Sequence, residues 1–263
     1  MIEVEPLKPK IYINSFPKSG THLAILITLH MAQVQQPKHW IGSFRDHSWT
    51  TTWLPDKYVL PVIEGQQPGT WMMGHMAYKK EYDEAFQKAG TCMFFVYRDL
   101  RDVAVSQTYH IESDDDERFK HLDKALYMEL PTHEDRIKAV IEGLGKYPGL
   151  IERWKLFAPW LDVDWILPIR YEEMREYPEE VAKKAVNYVI KRTSEQRDEI
   201  PLVFGKQYEE AIAKSIGFLQ TTDKSGSFRK GKVGGWKEEF NEELLESFYN
   251  TGGKYWIERL GYE

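Results

Sequence analysis

The chain is poor in cysteine and has no long apolar run. A single cysteine stands among 263 residues, so no disulfide can form within the chain and no cysteine-based metal site can be built. Cys92 lies in the apolar stretch Thr91 to Tyr97, which predicts a buried strand thiol and fits a reducing compartment. The longest apolar segment, Leu23 to Ala32, is too short to cross a bilayer. The opening MIEVEPLKPK lacks the basic start and apolar centre of a secretion signal. These absences predict a soluble, cytoplasmic protein with no membrane partner.

Positive charge is also in deficit. Lysine and arginine total 35 against 41 aspartates and glutamates, a net charge of -6. That sign argues against a nucleic-acid partner, so any anion site must be local. Acidic residues are densest at Glu112 to Arg118, five in seven positions; the run reads as a solvated loop or as a rim that attracts a cation. A hydrophobic fraction of 42% with 29% charged residues excludes disordered, collagen-like and coiled-coil classes and supports a sizeable core.

No internal repeat, low-complexity tract or flexible linker divides the sequence, so residues 1–263 read as one domain. Ile11 to Phe16 is a short apolar run suited to a buried strand. Pro17, Ser19 and Gly20 break it, and Thr21 to Val34 carries a helical pattern. Further strands are expected at Thr70 to Met73, Thr91 to Tyr97 and Val163 to Ile169. Helices are expected at Asp135 to Leu144, Tyr147 to Phe157 and Pro178 to Lys191. This order predicts an α/β fold with a largely parallel sheet.

The first strand is followed by FPKSGTH, which sets Lys18, Ser19, Gly20, Thr21 and His22 at a helix start. Unpaired backbone N–H groups and the positive end of the helix dipole favour an anion there; Gly20 permits close approach and Lys18 adds charge. A Walker loop has its lysine after the second glycine, whereas here the lysine comes first, which argues against a nucleotide-triphosphate loop. An ordinary strand-to-helix turn remains the alternative from this motif alone. Two other segments add anion-binding groups. Val96 to His110 places Arg98 at a strand end and Ser106 eight residues on, and Phe228 to Lys237 places Arg229, Lys230 and Lys232 among glycines.

With these three segments in order, the sequence resembles the cytosolic-type sulfotransferases, whose donor is 3′-phosphoadenosine 5′-phosphosulfate (PAPS). FPKSGT looks like the family's phosphosulfate loop, YRDLRDVAVSQTYH like its 3′-phosphate segment, and FRKGKVGGWK like its C-terminal loop. The resemblance implies a five-stranded parallel sheet flanked by helices, with a P-loop-like phosphosulfate loop. It implies that Lys18, Ser19, Gly20, Thr21 and the His22 backbone hold the 5′-phosphosulfate. Arg98, Ser106, Arg229, Lys230 and Gly231 would hold the 3′-phosphate. IRYEEMREYPEE would bring Tyr171 to the adenine, and Ser215 in SIGFLQ would join it. Leu23 and Ile216 replace aromatic residues usual in the family, leaving aliphatic platforms for the base, and Gly235 replaces an aspartate in the last loop.

Sulfuryl transfer to a hydroxyl needs a base for the acceptor proton and positive charge at the leaving phosphate. His75 in WMMGHMAY follows a short apolar strand and a glycine, and the family's catalytic histidine occupies the corresponding stretch. His22 is the second choice as base. Lys18 is expected to neutralise the leaving phosphate, with Ser106 steering it, and no metal is required. The acceptor is expected to be a small molecule, cationic or aromatic, because Trp40, Phe44, Trp49, Trp53, Tyr58, Trp71 and Tyr78 crowd one region. The competing readings are a P-loop kinase for a nucleoside or small molecule, and a non-catalytic binder of the product bisphosphate, PAP.

Overall fold

The computed structural model describes residues 8–28, 56–113, 124–194, 213–214 and 232–263. Four short strands form a parallel sheet: β1 (Ile11–Ser15), β2 (Trp71–Gly74), β3 (Cys92–Tyr97) and, later in the chain, β6 (Leu167–Arg170), in the order β2-β1-β3-β6. The register is level across the sheet: Asn14 lies beside Gly74 and Phe95, and Tyr97 beside Arg170. The strands read as nearly continuous apolar runs because both faces are covered. Tyr12, Met72, Met93 and Phe95 face one apolar cluster, and Ile11, Ile13, Phe94, Val96 and Ile169 face the other.

Helix α1 (Thr21–Thr28) follows β1, α2 (Asp56–Glu64) precedes β2, and α3 (Lys80–Ala89) leads into β3. Helix α3 ends at Gly90, whose φ of +71° lets Thr91 N–H bond back to the Phe86 carbonyl at 3.1 Å and turn the chain into β3. Helix α4 (Leu100–Ser113) follows β3; α5 (Lys124–Glu129), α6 (His133–Glu142) and α7 (Leu150–Phe157) come next. Helix α8 (Tyr171–Glu176) follows β6 directly, then α9 (Pro178–Ser194), α10 (Glu242–Asn250) and α11 (Gly253–Arg259). No described helix is long and apolar enough to cross a membrane.

Three expectations are corrected. The sheet has four parallel strands among the described residues rather than five. The remaining extended residues, β4 (Gly143–Leu144) and β5 (Tyr147–Pro148), make a separate antiparallel hairpin. That hairpin occupies residues assigned from sequence to two helices. Gly143, with φ +100°, stops α6 at Glu142, and a Cβ there would stand 2.8 Å from the Tyr147 carbonyl oxygen. The last strand also starts later than expected, at Leu167, on the sheet edge where the missing N–H of Pro168 is tolerated. Cys92 is fully buried in β3 as expected, its Sγ 3.8 Å from Thr193 Oγ1.

Asn14 is the polar residue that ties the strand ends together. Its Nδ2 donates to the Met76 carbonyl at 2.9 Å and its Oδ1 accepts the Met76 N–H at 2.8 Å, closing the chain just after His75 onto β1. Trp160 Nε1 also reaches the Met76 carbonyl, at 2.9 Å, so Asn14 chiefly matters to the N–H. Asn14→Ala should leave that buried N–H unpaired and cost about 1–3 kcal/mol, read as a lower urea midpoint with an unchanged m-value.

Candidate active site

Each of the four parallel strands delivers a polar loop at its carboxyl end, where ligands bind in open α/β sheets. Lys18 to Gly20 follow β1, His75 follows β2, Arg98 follows β3 and Tyr171 follows β6. The loop after β1 is tightly turned. Lys18 has φ +66°, the one non-glycine residue with a positive φ among those described, and Gly20 has φ +99°. A side chain at Gly20 would collide with Tyr171, whose Cδ2 lies 2.4 Å from the Cβ position. The Tyr171 ring, 4% exposed, is thus pressed against the loop, and its other neighbour is the Arg98 guanidinium, 4.2 Å from the ring centroid.

Two buried donors of these loops have no hydrogen-bond partner among the described residues: Ser19 Oγ, next to Gly20, and Arg98 Nε, on the guanidinium that stacks on Tyr171. Buried polar atoms are nearly always satisfied, so an anion at either loop meets an existing need. Arg98 is 8% exposed. Its Nη2 donates to Asp102 Oδ2 at 3.2 Å and to the Lys232 carbonyl at 2.7 Å, which leaves the Nε edge for a ligand.

His75 is held by β1. Its Nδ1 lies 2.8 Å from the Ser15 carbonyl and 3.1 Å from Ser15 Oγ, and Ser15 Oγ shares a 2.6 Å hydrogen bond with Thr21 Oγ1. A carbonyl only accepts, so Nδ1 carries the proton and Nε2 keeps its lone pair. Burial, with smaller contributions from Lys18 and His22, pushes the His75 pKa down to about 4 against the upward pull of the Ser15 carbonyl. The ring is therefore neutral at pH 7.

The structure adds three residues that sequence reading passed over. His110 lies on α4, four residues after Ser106 and eight after Asp102, so the three share one helix face. Its pKa falls to about 4 through burial and the positive fields of Lys18, His75 and Lys124, which places it beside the same cluster. Ser15 joins Thr21 to His75, and Asp102 joins Arg98 to the C-terminal loop. The spacing of four from Arg98 to Asp102 to Ser106 to His110 was the available signal.

Other expected residues fall as follows. Thr21 is buried, Ser106 is half-buried, and the His22 side chain is exposed at the first turn of α1. Leu23 is buried in the apolar cluster between α1 and the sheet. Trp71 is also core, Tyr78 packs edge-on to Trp160, and Tyr58 is exposed. Glu112 is held by His133 at 2.8 Å and Arg136 at 2.9 Å. Ser215, Ile216, Arg229, Lys230, Gly231, Trp40, Phe44, Trp49, Trp53 and residues 114–118 lie outside the described residues.

The lowered histidine pKa values have a thermodynamic sign. In the unfolded chain these groups take up protons near pH 6.5, whereas in the fold they resist to about pH 4. Stability should therefore fall as pH drops from about 6.5 to about 4, by about 3 kcal/mol for His75 alone. Melting temperatures across that range check it, and His75→Gln should flatten the slope.

Comparisons with known proteins agree with this arrangement. The model of the sulfotransferase domain matches residues 8–254. A flavonol 3-sulfotransferase from Flaveria bidentis is 25% identical over 267 residues, covering 90% of this chain and 78% of the relative. The fold is similar to that of mouse sulfotransferase SULT7A1 complexed with PAP, with a TM-score of 0.60 at 17% identity, covering 93% of this chain and 83% of that one. It is also similar to retinol dehydratase in complex with androsterone and inactive cofactor PAP, with a TM-score of 0.51 at 18% identity, covering 94% and 80%. With the family model spanning nearly the whole sequence, this chain belongs to the sulfotransferase domain family.

Proposed function

We propose that the protein transfers a sulfuryl group from PAPS to a hydroxyl group of a small-molecule acceptor. The observation that carries the reading is a pair of buried donors without a partner among the described residues, Ser19 Oγ in the loop after β1 and Arg98 Nε at the end of β3. Two anion subsites at neighbouring strand ends suit a 3′,5′-bisphosphate nucleotide. The PAP complexes of the structural relatives and the family itself support the same donor.

When bound, the donor supplies an activated sulfuryl group. Lys18, Ser19, Gly20, Thr21 and the His22 N–H would meet its 5′ end, with α1 contributing its N-terminal field. Arg98, Ser106, Arg229, Lys230 and Gly231 would meet the 3′-phosphate, and Ser215 the base side. Tyr171, one face of whose ring carries Arg98, would reach the adenine.

His75 is the base. Its Nδ1 proton is committed to Ser15, so Nε2 accepts the acceptor's proton. Lys18 would hold positive charge where the leaving phosphate forms. The exposed His22 is less suited to a base role than the half-buried His75, which the Ser15 carbonyl orients.

The acceptor is aromatic rather than cationic on this reading. Lys18 and His22 oppose a positive charge at His75, and Lys18 and Lys124 do the same at His110, which disfavours a cation and favours a polarised phenol-type hydroxyl. The named acceptor class of the plant relative, a flavonol, fits that chemistry. A reducing compartment suits the single buried thiol, and we place the activity in the cytoplasm, carried by one domain.

The test is incubation with labelled PAPS and panels of phenols, aliphatic alcohols and amines, with sulfated products found by mass spectrometry. A sulfated phenol is the expected result, and transfer from ATP with Mg²⁺ would support the kinase reading instead. His75→Ala should lower kcat by about 10²–10⁴ and leave PAP affinity within about twofold. Because neutral His75 is the active form, the acidic limb of kcat/KM for the donor, which reports the unloaded enzyme, should lie near pH 4 rather than at histidine's ordinary value. A limb near pH 6.5 in stopped assays would assign the base elsewhere.

A further inference from the structure

Helix α4 opens on a dense set of charges whose partners are fixed. Asp99 caps it, accepting the Arg101 N–H at 2.9 Å, and grips the Arg101 side chain at 2.7 Å. Asp102, one turn along, is 2% exposed and serves a different purpose. Its Oδ1 accepts the Trp236 N–H at 2.8 Å. Its Oδ2 accepts the Gly234 N–H at 2.9 Å and Arg98 Nη2 at 3.2 Å. One carboxylate thus joins the chain segment 232–236 to the guanidinium that closes the β3 end of the site.

The segment also has local backbone bonds, from the Lys237 N–H to the Gly234 carbonyl at 3.3 Å and from the Phe240 N–H to the Trp236 carbonyl at 2.8 Å. Gly234 adopts φ +68°, which suits glycine, and Gly235 has no side chain. A Cβ at Gly235 would stand 3.7 Å from Asp102 Oδ1, so the carboxylate sits directly beneath the turn. The Lys232 carbonyl accepts from the same Arg98 Nη2 at 2.7 Å. Trp236 lies over Arg101 at 3.8 Å, which fixes the indole but leaves the Gly234 N–H to Asp102.

We infer that Asp102 is the positioning residue of the donor site: it aims the Arg98 Nε edge at the 3′-phosphate and holds the 232–236 turn closed beside it, coupling the two. The inference rests on the donor reading given above. Without the carboxylate, Arg98 loses one of its two in-plane restraints and keeps the Lys232 carbonyl and the stacking of Tyr171, while two part-buried N–H groups of the turn go unpaired.

Isothermal titration of PAP and of AMP separates this from a general structural role, because AMP lacks the 3′-phosphate. Wild-type protein should bind PAP more tightly than AMP. In Asp102→Asn, PAP affinity should fall at least about tenfold while AMP affinity stays within about twofold. Trypsin should cut after Lys232 faster in the variant, with PAP giving less protection than in wild type. An unchanged PAP-to-AMP ratio in Asp102→Asn overturns the inference. A wild type that does not prefer PAP overturns the donor reading itself, and the inference falls with it. Should Asp102→Asn fail to fold, Asp102→Glu keeps the charge beside Arg98 while displacing its oxygens from the turn. It must then show the same selective loss of PAP affinity, and a wild-type ratio there also overturns the inference.

Discussion

The level register of the parallel sheet is the constraint on which the site depends. Asn14 lies beside Gly74 and Phe95, and Tyr97 beside Arg170, so the strands release their chains at one height. The residues that follow, Lys18 to Gly20, His75, Arg98 and Tyr171, meet because of that level edge. Parallel strands carry their hydrogen bonds evenly, and a one-residue slip in any of them would reverse which side chains face the core. The two apolar clusters covering the sheet therefore fix the register and, through it, the distance between Tyr171 and Gly20. Asn14 completes this arrangement by tying β1 to the segment after His75, where no sheet bond continues.

A protein with net charge -6 concentrates positive groups at that edge without filling its interior with unpaired charge. Arginine and histidine manage this differently. Each arginine at the start of α4 has an acid on the same turn: Asp102 for Arg98 and Asp99 for Arg101. The pairing offsets the cost of burying the cation while leaving Arg98 Nε for a ligand. For His75 and His110 burial instead lowers the pKa to about 4, and both stay neutral. Lys18 then faces imidazoles rather than cations, which lets three basic side chains share a small volume.

Much of this was legible in the sequence, for local reasons. The apolar runs of β1 and β3 sit between Pro, Gly and polar residues that mark their ends, and the loop after β1 declared its anion-binding character through Lys18, Ser19 and Gly20. Arg98 was visible as a cation at a strand end. The illegible parts depend on contacts between distant residues. Tyr171 was expected at a nucleotide base, and its ring touches both Gly20 and Arg98, a relation between residues 20, 98 and 171 that no spacing encodes. The β4–β5 hairpin was hidden because the flanking helical patterns run almost to Gly143 and from Tyr147, and only the backbone conformation of Gly143 interrupts them. Asp102 stood in a motif read for its arginine and serine, and its purpose emerges only when a loop 130 residues away folds onto it.

A base whose conjugate acid has a pKa near 4 is weak, and the cause of that weakness determines when it acts. Burial is the main cause, but Lys18 and His22 also oppose a proton on His75. A multiply anionic nucleotide beside Lys18 would counter that repulsion and stabilise the imidazolium, so on the proposed reading His75 is a stronger base in the loaded site. The same charge that the donor brings to Lys18 would then prepare His75 for the acceptor's proton. Ser15 contributes the geometry for this coupling: its hydroxyl contacts Thr21 in the phosphosulfate loop and its carbonyl holds Nδ1 of His75. A shift of the loop on binding would therefore pass through Ser15 and Thr21 to the imidazole, linking the base's orientation as well as its basicity to the presence of the donor.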